Sequence, residues 1–276
     1  MARAVKHRYA VEGGYARGEE TRARIVTAAL KMFGERGFEA ASTRDIATSA
    51  GVNAPALQYY FDNKEGVYLA CVEHIAKCIW EAMTDVAARA EKALADNSDD
   101  AGLIEAFCDV QGQLAEFMFT MKDADDWRLF MARLQSGEGP EAGFQFIYQH
   151  VSGRMSRVLA GIVARLLGRP ADDEETLIRT MMIGGQSHVF QMARRSVLTK
   201  LNWDKIDERR LELLKQVLRE HTRVLLRAMA KARDDRYASA NAVLRDIQAL
   251  SVGRPAGPAG PCEEGDRERA AGRAGT

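Results

Sequence analysis

The sequence predicts an all-α protein built in two domains, and three observations carry that reading. Apolar residues recur at helical three-four spacing through most of the chain, no stretch sustains the alternation with β-branched residues that strands require, and residues 1–252 hold only Pro55, Pro140 and Pro170. A chain of 276 residues suits two domains. Its 46% hydrophobic and 28% charged residues are the mix of a soluble globular protein, which sets aside wholesale disorder and fibrous repeats.

The first helix follows from Glu19 and Glu20, which favour a positive helix N-terminus, and from the stripe Ile25, Ala28, Ala29, Met32 and Phe33, with Gly37 placed to close it. Ser42 to Lys64, STRDIATSAGVNAPALQYYFDNK, then reads as a short helix, a tight turn and a second short helix. Ser42 or Thr43 caps the first of these, and Asp45 stands where the acidic member of a capping box belongs. Ile46 and Ala47 face inward, and Ala47 is small enough for two helices to approach closely. Gly51 falls where the turn needs a residue comfortable at positive φ. Val52 and Leu57 fill the angle between the helices, Asn53 caps the second, and Pro55 is harmless in a first turn, where its missing N–H has no intrahelical partner.

A long helix is predicted from about Glu65 to Ala95 on the spacing of Tyr68, Val72, Ile75, Ile79, Met83 and Val86. Further helices are expected near 101–121, 126–135, 143–168, 173–199 and 206–232. The segment DDRYASANAVLRDIQAL reads as one more helix. Beyond it, Pro255, Pro258 and Pro261 crowd together with glycines into a tail expected to be disordered from about residue 251. Gly184 and Gly185 inside the 173–199 helix cost about 1 kcal/mol each relative to Ala, a cost that close approach of another helix would explain. Leu211, Leu214, Leu218, His221 and Leu225 form a narrow apolar seam, which periodicity alone assigns equally to a dimer interface or to an internal core stripe.

Net charge is zero, so nucleic-acid binding has to come from local asymmetry, and residues 1–64 carry ten Lys/Arg against seven Asp/Glu. A purely architectural DNA binder would be basic overall and would lack a large neutral helical domain. Cys71, Cys78, Cys108 and Cys262 form no CxxC pair and no zinc-like spacing, which fits a reducing cytoplasm. Cys71 and Cys78 share a helix face, so redox sensing stands beside the simpler reading of two core side chains. The opening MARAVKHRYAVEGGY lacks the apolar centre of a signal peptide, and no apolar run approaches membrane length, so a cytoplasmic protein with no membrane association is expected. No glycine-rich phosphate loop, HExxH or GxSxG occurs, and the five histidines are scattered singly, so neither an enzyme nor a cofactor or metal site is expected.

A first helix with a small-aromatic stripe, then TRDIATSAGV, then a short helix ending in YYF and followed by NKEGVY, resembles the TetR/AcrR family of transcription regulators over about residues 20–72. The stretch from WRLFMARLQSGEGPEAGF to MMIGGQSHVFQMARRSVLTKLNWDKI resembles a CecR-like C-terminal domain. The resemblance implies a three-helix DNA-binding head followed by a larger helical ligand-binding and dimerisation domain. The expected division is a flexible basic arm at 1–18, carrying Arg3, Lys6 and Arg8, a helix-turn-helix domain at 19–64, a regulatory and dimerisation domain at 65–232, and a C-terminal extension at 233–276. The family's four-helix dimer bundle turns the Leu211–Leu225 seam toward the interface reading.

Within the head, Gln58 is placed to pair with adenine, Asn53 to touch a base or merely cap its helix, and Ala54 to meet a thymine methyl. Tyr59 matches the family's phosphate-bonding position. Thr43 at its helix start and Lys64 before the next helix are expected on phosphates, and Arg44 beside Thr43 is expected to contact DNA. Tyr60 departs from the family pattern, which more often has His there, and either contacts DNA or packs against the head. In the larger domain Phe107, Phe130, Phe144, Tyr148 and Met181 offer apolar pocket surface, with His150 and His188 as polar groups that orient a ligand. The expected function is a homodimeric repressor released from a palindromic double-stranded operator by a small-molecule effector. The alternatives are a helical ligand-binding module and an architectural DNA binder without operator specificity.

Overall fold

The computed structural model describes residues 12–121, 124–230 and 247–248, and every regular element among them is helical. The helices are α1 (Glu12–Ala40), α2 (Thr43–Ser49), α3 (Ala54–Tyr60), α4 (Lys64–Ala95), α5 (Asp100–Thr120), α6 (Ala124–Gln135), α7 (Glu141–Ile147), α8 (Gly153–Leu167), α9 (Glu174–Gly184), α10 (His188–Met192), α11 (Arg194–Leu201) and α12 (Glu208–Ala230). They form two compact units. One takes its described residues from Met1–Thr84, Glu116–Met155 and Val189–Asp204, the other from Asp85–Ala115, Ser156–His188 and Lys205–Thr276. Of the flexible arm expected at 1–18, residues 1–11 lie outside the described residues, as does most of the C-terminal extension, including Cys262 and the proline-rich tail, whereas residues 12–18 are the first turns of α1.

The first unit is organised around α1. Its apolar stripe, Ile25, Val26, Ala29, Leu30 and Phe33, is buried to 3% exposure or less. Phe33 meets Tyr68 of α4 edge-on at 5.2 Å between ring centroids, and Tyr68 lies 4.9 Å from Phe130 of α6, the close offset geometry that aromatic quadrupoles favour. Burial pushes the Tyr68 phenol up to about 12. Gly34 admits α6, because a Cβ there would lie 3.0 Å from the Asp126 carbonyl. Arg133 of α6 donates Nε to the Gly34 carbonyl at 2.8 Å and pairs with Glu138. At Gly37 the backbone leaves helical geometry with φ +81, so this residue does break α1, three residues before the recorded end.

In the second unit α5 and α12 are tied by charge: Arg223 donates Nε and Nη2 to the two Glu105 oxygens at 2.6 and 2.7 Å, and Arg219 pairs with Asp109. The Arg223 hydrogen bonds hold the Glu105 carboxyl below its ordinary range. Nearby, a buried polar cluster joins three helices. Gln111 of α5 donates to the Ile183 carbonyl at 2.6 Å and accepts from the Thr222 hydroxyl of α12 at 2.7 Å, while Gln186 donates to Ile183 O and Thr222 Oγ1.

Two long helices predicted from the sequence are interrupted. The one expected at 143–168 contains a π turn at Tyr148–Ser152, made possible by Gly153, where a Cβ would come within 2.5 Å of the Tyr148 carbonyl. The one expected at 173–199 becomes α9, a 3-10 turn at Gly185–Ser187, α10, and, after Ala193 with φ −102 and ψ 28, α11. Among the described residues no helix approaches the glycine pair closely: a Cβ on Gly184 would meet nothing within 4 Å, and one on Gly185 only the His188 ring at 3.7 Å. The glycines instead let the backbone tighten where the Gln111 and Gln186 amides take up the Ile183 carbonyl.

Candidate DNA interface

The geometry of α2, the turn and α3 is fixed by side chains that the backbone requires. Ser42 is the cap of α2, its Oγ accepting from the Asp45 N–H at 3.1 Å, whereas the Asp45 carboxylate is drawn to Arg36 at 3.5 Å. Ile46 and Ala47 are buried, and the Ala47 carbonyl accepts from the Val52 N–H at 2.9 Å to close the turn around Gly51, whose φ is +67. Asn53 caps α3 by accepting from the Ala56 N–H at 2.8 Å, and Leu57, 1% exposed, anchors that helix to the core.

With Leu57 facing inward, α3 turns the opposite side to solvent. Ala54 and Gln58, four residues apart, share that exposed side, and Tyr59 is 84% exposed with its ring edge-on to Tyr60 at 5.3 Å. Arg44 is exposed and Thr43 half-buried at the first turn of α2. Tyr60 is half-buried against the core of the unit. Asn53 spends its carbonyl oxygen on the cap and keeps its NH2 donors. Lys64 donates to the Glu39 carbonyl at 3.3 Å and lies 4.4 Å over the Phe38 ring, with donors to spare at the start of α4. Arg24 of α1 joins this group although the sequence did not single it out: its Nη1 stands 4.0 Å from where a Gly51 Cβ would be. Its only sequence signal is a cation outside the apolar stripe of α1, which many surface arginines share.

Comparison with known proteins agrees with this geometry. Residues 25–71 match the model of the family described as bacterial regulatory proteins, tetR family, and residues 103–229 match the C-terminal domain of the HTH-type transcriptional dual regulator CecR. The chain is a TetR-family regulator with a CecR-like C-terminal domain. Such regulators bind DNA and are not enzymes. Among curated relatives of this TetR-family chain is the transcriptional dual regulator CecR of Shigella flexneri, 29% identical over 215 residues, covering 78% of this chain and 95% of that protein. The HTH-type transcriptional repressor NicS of Pseudomonas putida is 37% identical over 57 residues, 21% of this chain and 27% of that one. Among solved structures, the TetR-family regulator PfmR of Thermus thermophilus is 21% identical, with a TM-score of 0.46, covering 74% and 97% of the two chains.

The residues read as a ligand pocket in this TetR-family chain are divided between the two units. Phe130, Phe144, Tyr148 and His150 belong to the first unit and Phe107, Met181 and His188 to the second. Phe107 and Phe130 are fully buried core side chains, Phe144 is half-buried, and Tyr148, His150, Met181 and His188 are exposed. Of the seam residues, Leu211, Leu214 and Leu218 are 3–6% exposed and packed inside this one chain, so they have no surface left for a partner; His221 and Leu225 are exposed. The exposed apolar side of α12 is instead Leu213, Val217 and Leu225, and α9 exposes Ile178, Met181 and Met182. Cys71 is fully buried, hydrogen-bonds the Val26 carbonyl and is pushed far above the usual thiol range by burial. Cys78 is half-buried and also raised by burial, so neither has the lowered thiol titration of a redox sensor. Among the described residues no cluster of His, Cys, Asp or Glu is arranged to hold a metal, and no helix is long and apolar enough to cross a membrane.

Proposed function

We propose that this chain is a homodimeric repressor that grips a palindromic operator with α3 of each protomer and leaves it when a small molecule binds. The observation that carries the reading is the outward side of α3, where Ala54, Gln58 and Tyr59 stand free on a helix whose position is set by Gly51, Asn53 and Leu57. In this reading Gln58 pairs in bidentate fashion with adenine and Ala54 meets a thymine methyl. Asn53 adds a base contact from its NH2 group. Thr43, Arg44, Tyr59 and Lys64 hold phosphates, with Arg24 beside them. Tyr60 supports Tyr59 from the core. The DNA-binding domain then spans residues 19–64 and the regulatory domain 65–232, and the protein acts on double-stranded DNA in the cytoplasm.

Dimerisation is supported by unpartnered apolar surface. Leu213, Val217, His221 and Leu225 recur every four residues along α12, and Ile178, Met181 and Met182 add apolar surface on α9. Large side chains left in water along a helix are the usual mark of an association face. A second copy covering them gives the two α3 helices of a dimer a fixed separation, suited to half-sites about 34–36 Å apart. Effector binding that changes this separation releases DNA.

Selection of preferred sequences from a random DNA pool tests the proposal. A palindrome enriched by the wild type and lost by a Gln58→Ala/Tyr59→Ala variant is expected; no enrichment at low or high salt overturns it. Sedimentation of Val217→Glu is expected to show a monomer where the wild type is a dimer, and a wild type that sediments as a monomer overturns the dimer.

A further inference from the structure

An open cavity of about 570 Å³ lies in the first unit between the start of α6 and the whole length of α11. Its α11 wall is one helix face: Arg194 and Leu198, and Arg195 and Thr199, are each four residues apart. The far end of that wall is built by the helix terminus. Asn202 takes the left-handed conformation with φ +53, the Trp203 N–H reaches back to the Leu198 carbonyl at 2.8 Å, and the Asn202 N–H reaches Thr199 at 3.2 Å. This is the Schellman arrangement, which folds the residue after the turn back over the last helical turn and brings an apolar pair together, here Trp203 and Leu198. Met192 adds thioether surface.

The polar side of the cavity carries an excess of cations. Among the described residues that line it, Arg128, Arg194 and Arg195 stand with Asp125 and Asp204, three positive charges to two negative ones. Arg194 and Arg195 have no ion pair among the described residues. The Asp125 carboxylate lies 3.6 Å from Arg128 Nε, beyond hydrogen-bond length, and that buried Nε has no hydrogen-bond partner. The Arg128 side chain is 28% exposed, so the outer nitrogens of its planar fork are open to a carboxylate entering the cavity.

From this arrangement we infer that the Arg128–Arg194–Trp203 cavity binds a small organic carboxylate with an apolar body, the carboxylate held by the arginine forks and the body laid against Trp203, Leu198 and Met192. The excess of arginine among the described lining residues suits an anion, and Trp203, Leu198 and Met192 favour one with an apolar body over a bare inorganic anion. The inference rests on the effector-released reading for its regulatory meaning, and it names that effector's class.

The full-length protein is titrated calorimetrically with a panel of aryl carboxylates and of alkyl carboxylates from hexanoate to dodecanoate, each paired with its primary amide. At least one acid is expected to bind once per chain and more than about tenfold tighter than its amide, the difference a charge-assisted arginine contact makes. Arg128→Gln and Arg194→Gln are each expected to weaken it at least about tenfold, while Arg89→Gln, remote in sequence from every wall of the cavity, leaves it unchanged. No binding by any acid, equal binding of acid and amide, or binding indifferent to both arginine substitutions overturns the assignment. Fluorescence anisotropy of the protein on its selected operator separates the two claims. Binding with the predicted arginine dependence but no DNA release keeps the site and refutes the effector role. DNA release by an acid that acts equally on Arg194→Gln keeps the effector role and refutes the site.

Discussion

Replacing Gly51 with Ala isolates the backbone requirement at the centre of the helix-turn-helix. The residue sits at φ +67, and the nearest atom to an added Cβ is Arg24 Nη1 at 4.0 Å, so the methyl group has room and the whole cost is conformational. A left-handed conformation costs a residue with a Cβ about 1–2 kcal/mol, and Asn bears it better than Ala because its short polar side chain bonds locally. Through the local opening equilibrium that cost becomes roughly 5- to 30-fold faster amide exchange. Native-state hydrogen exchange on the full chain reads it at the Ala50, Val52 and Phe61 amides, which bond the Ile46, Ala47 and Leu57 carbonyls, with the Leu103 amide as an internal reference. Gly51→Asn is expected to fall between the wild type and Gly51→Ala. Exchange in Gly51→Ala within about twofold of wild type, or Ala and Asn variants that exchange alike, would falsify the assignment of the turn to backbone strain.

Three further outcomes are expected. Asn53→Ala removes the α3 cap and costs about 1 kcal/mol, measured by the same exchange experiment, while Asn53→Ser restores most of it. Glu105 has its carboxyl held low by Arg223, so its pairing stabilises the fold above its ordinary value of 4.5 and is lost as pH falls through the lower folded value; Glu105→Gln therefore flattens the fall of the thermal midpoint in that acid range. Gln111→Leu takes the acceptor from the Thr222 hydroxyl proton, leaving that oxygen only the Gln186 donor, and weakens the hold on the Ile183 carbonyl, costing about 1–3 kcal/mol by thermal unfolding. Adding Thr222→Val recovers part of that loss, a non-additivity that two independent contacts would not show.

Particular residues show which links of the chain from sequence to function were legible. Ser42, Gly51, Asn53 and Leu57 act within a few residues of their partners, so cap chemistry, positive φ and one inward apolar position sufficed to place them. The break after Gly184 was not readable in the same way, because it depends on Gln111, seventy-two residues away, offering an amide to the Ile183 carbonyl. The α12 seam failed for another reason. Periodicity marks an apolar stripe but not what covers it, and Leu211, Leu214 and Leu218 turned out to be covered by the chain itself, with Leu213, Val217 and Leu225 left outside. Residue type alone does not mark a pocket, because aromatic and thioether side chains serve a core as readily as a cavity; the arginines of α11, which line one, carry no such signal.

Base reading by α3 and phosphate holding by the residues around it are separated by one measurement. Gln58→Ala and Lys64→Ala are each titrated by anisotropy against the selected operator and a scrambled duplex at two salt concentrations. Gln58→Ala is expected to lose about 1–3 kcal/mol on the operator and almost nothing on the scrambled duplex. Lys64→Ala is expected to weaken both alike and to shallow the salt dependence by about one phosphate contact. Equal losses on both duplexes for both variants, with the same change in salt dependence, would contradict this division of roles.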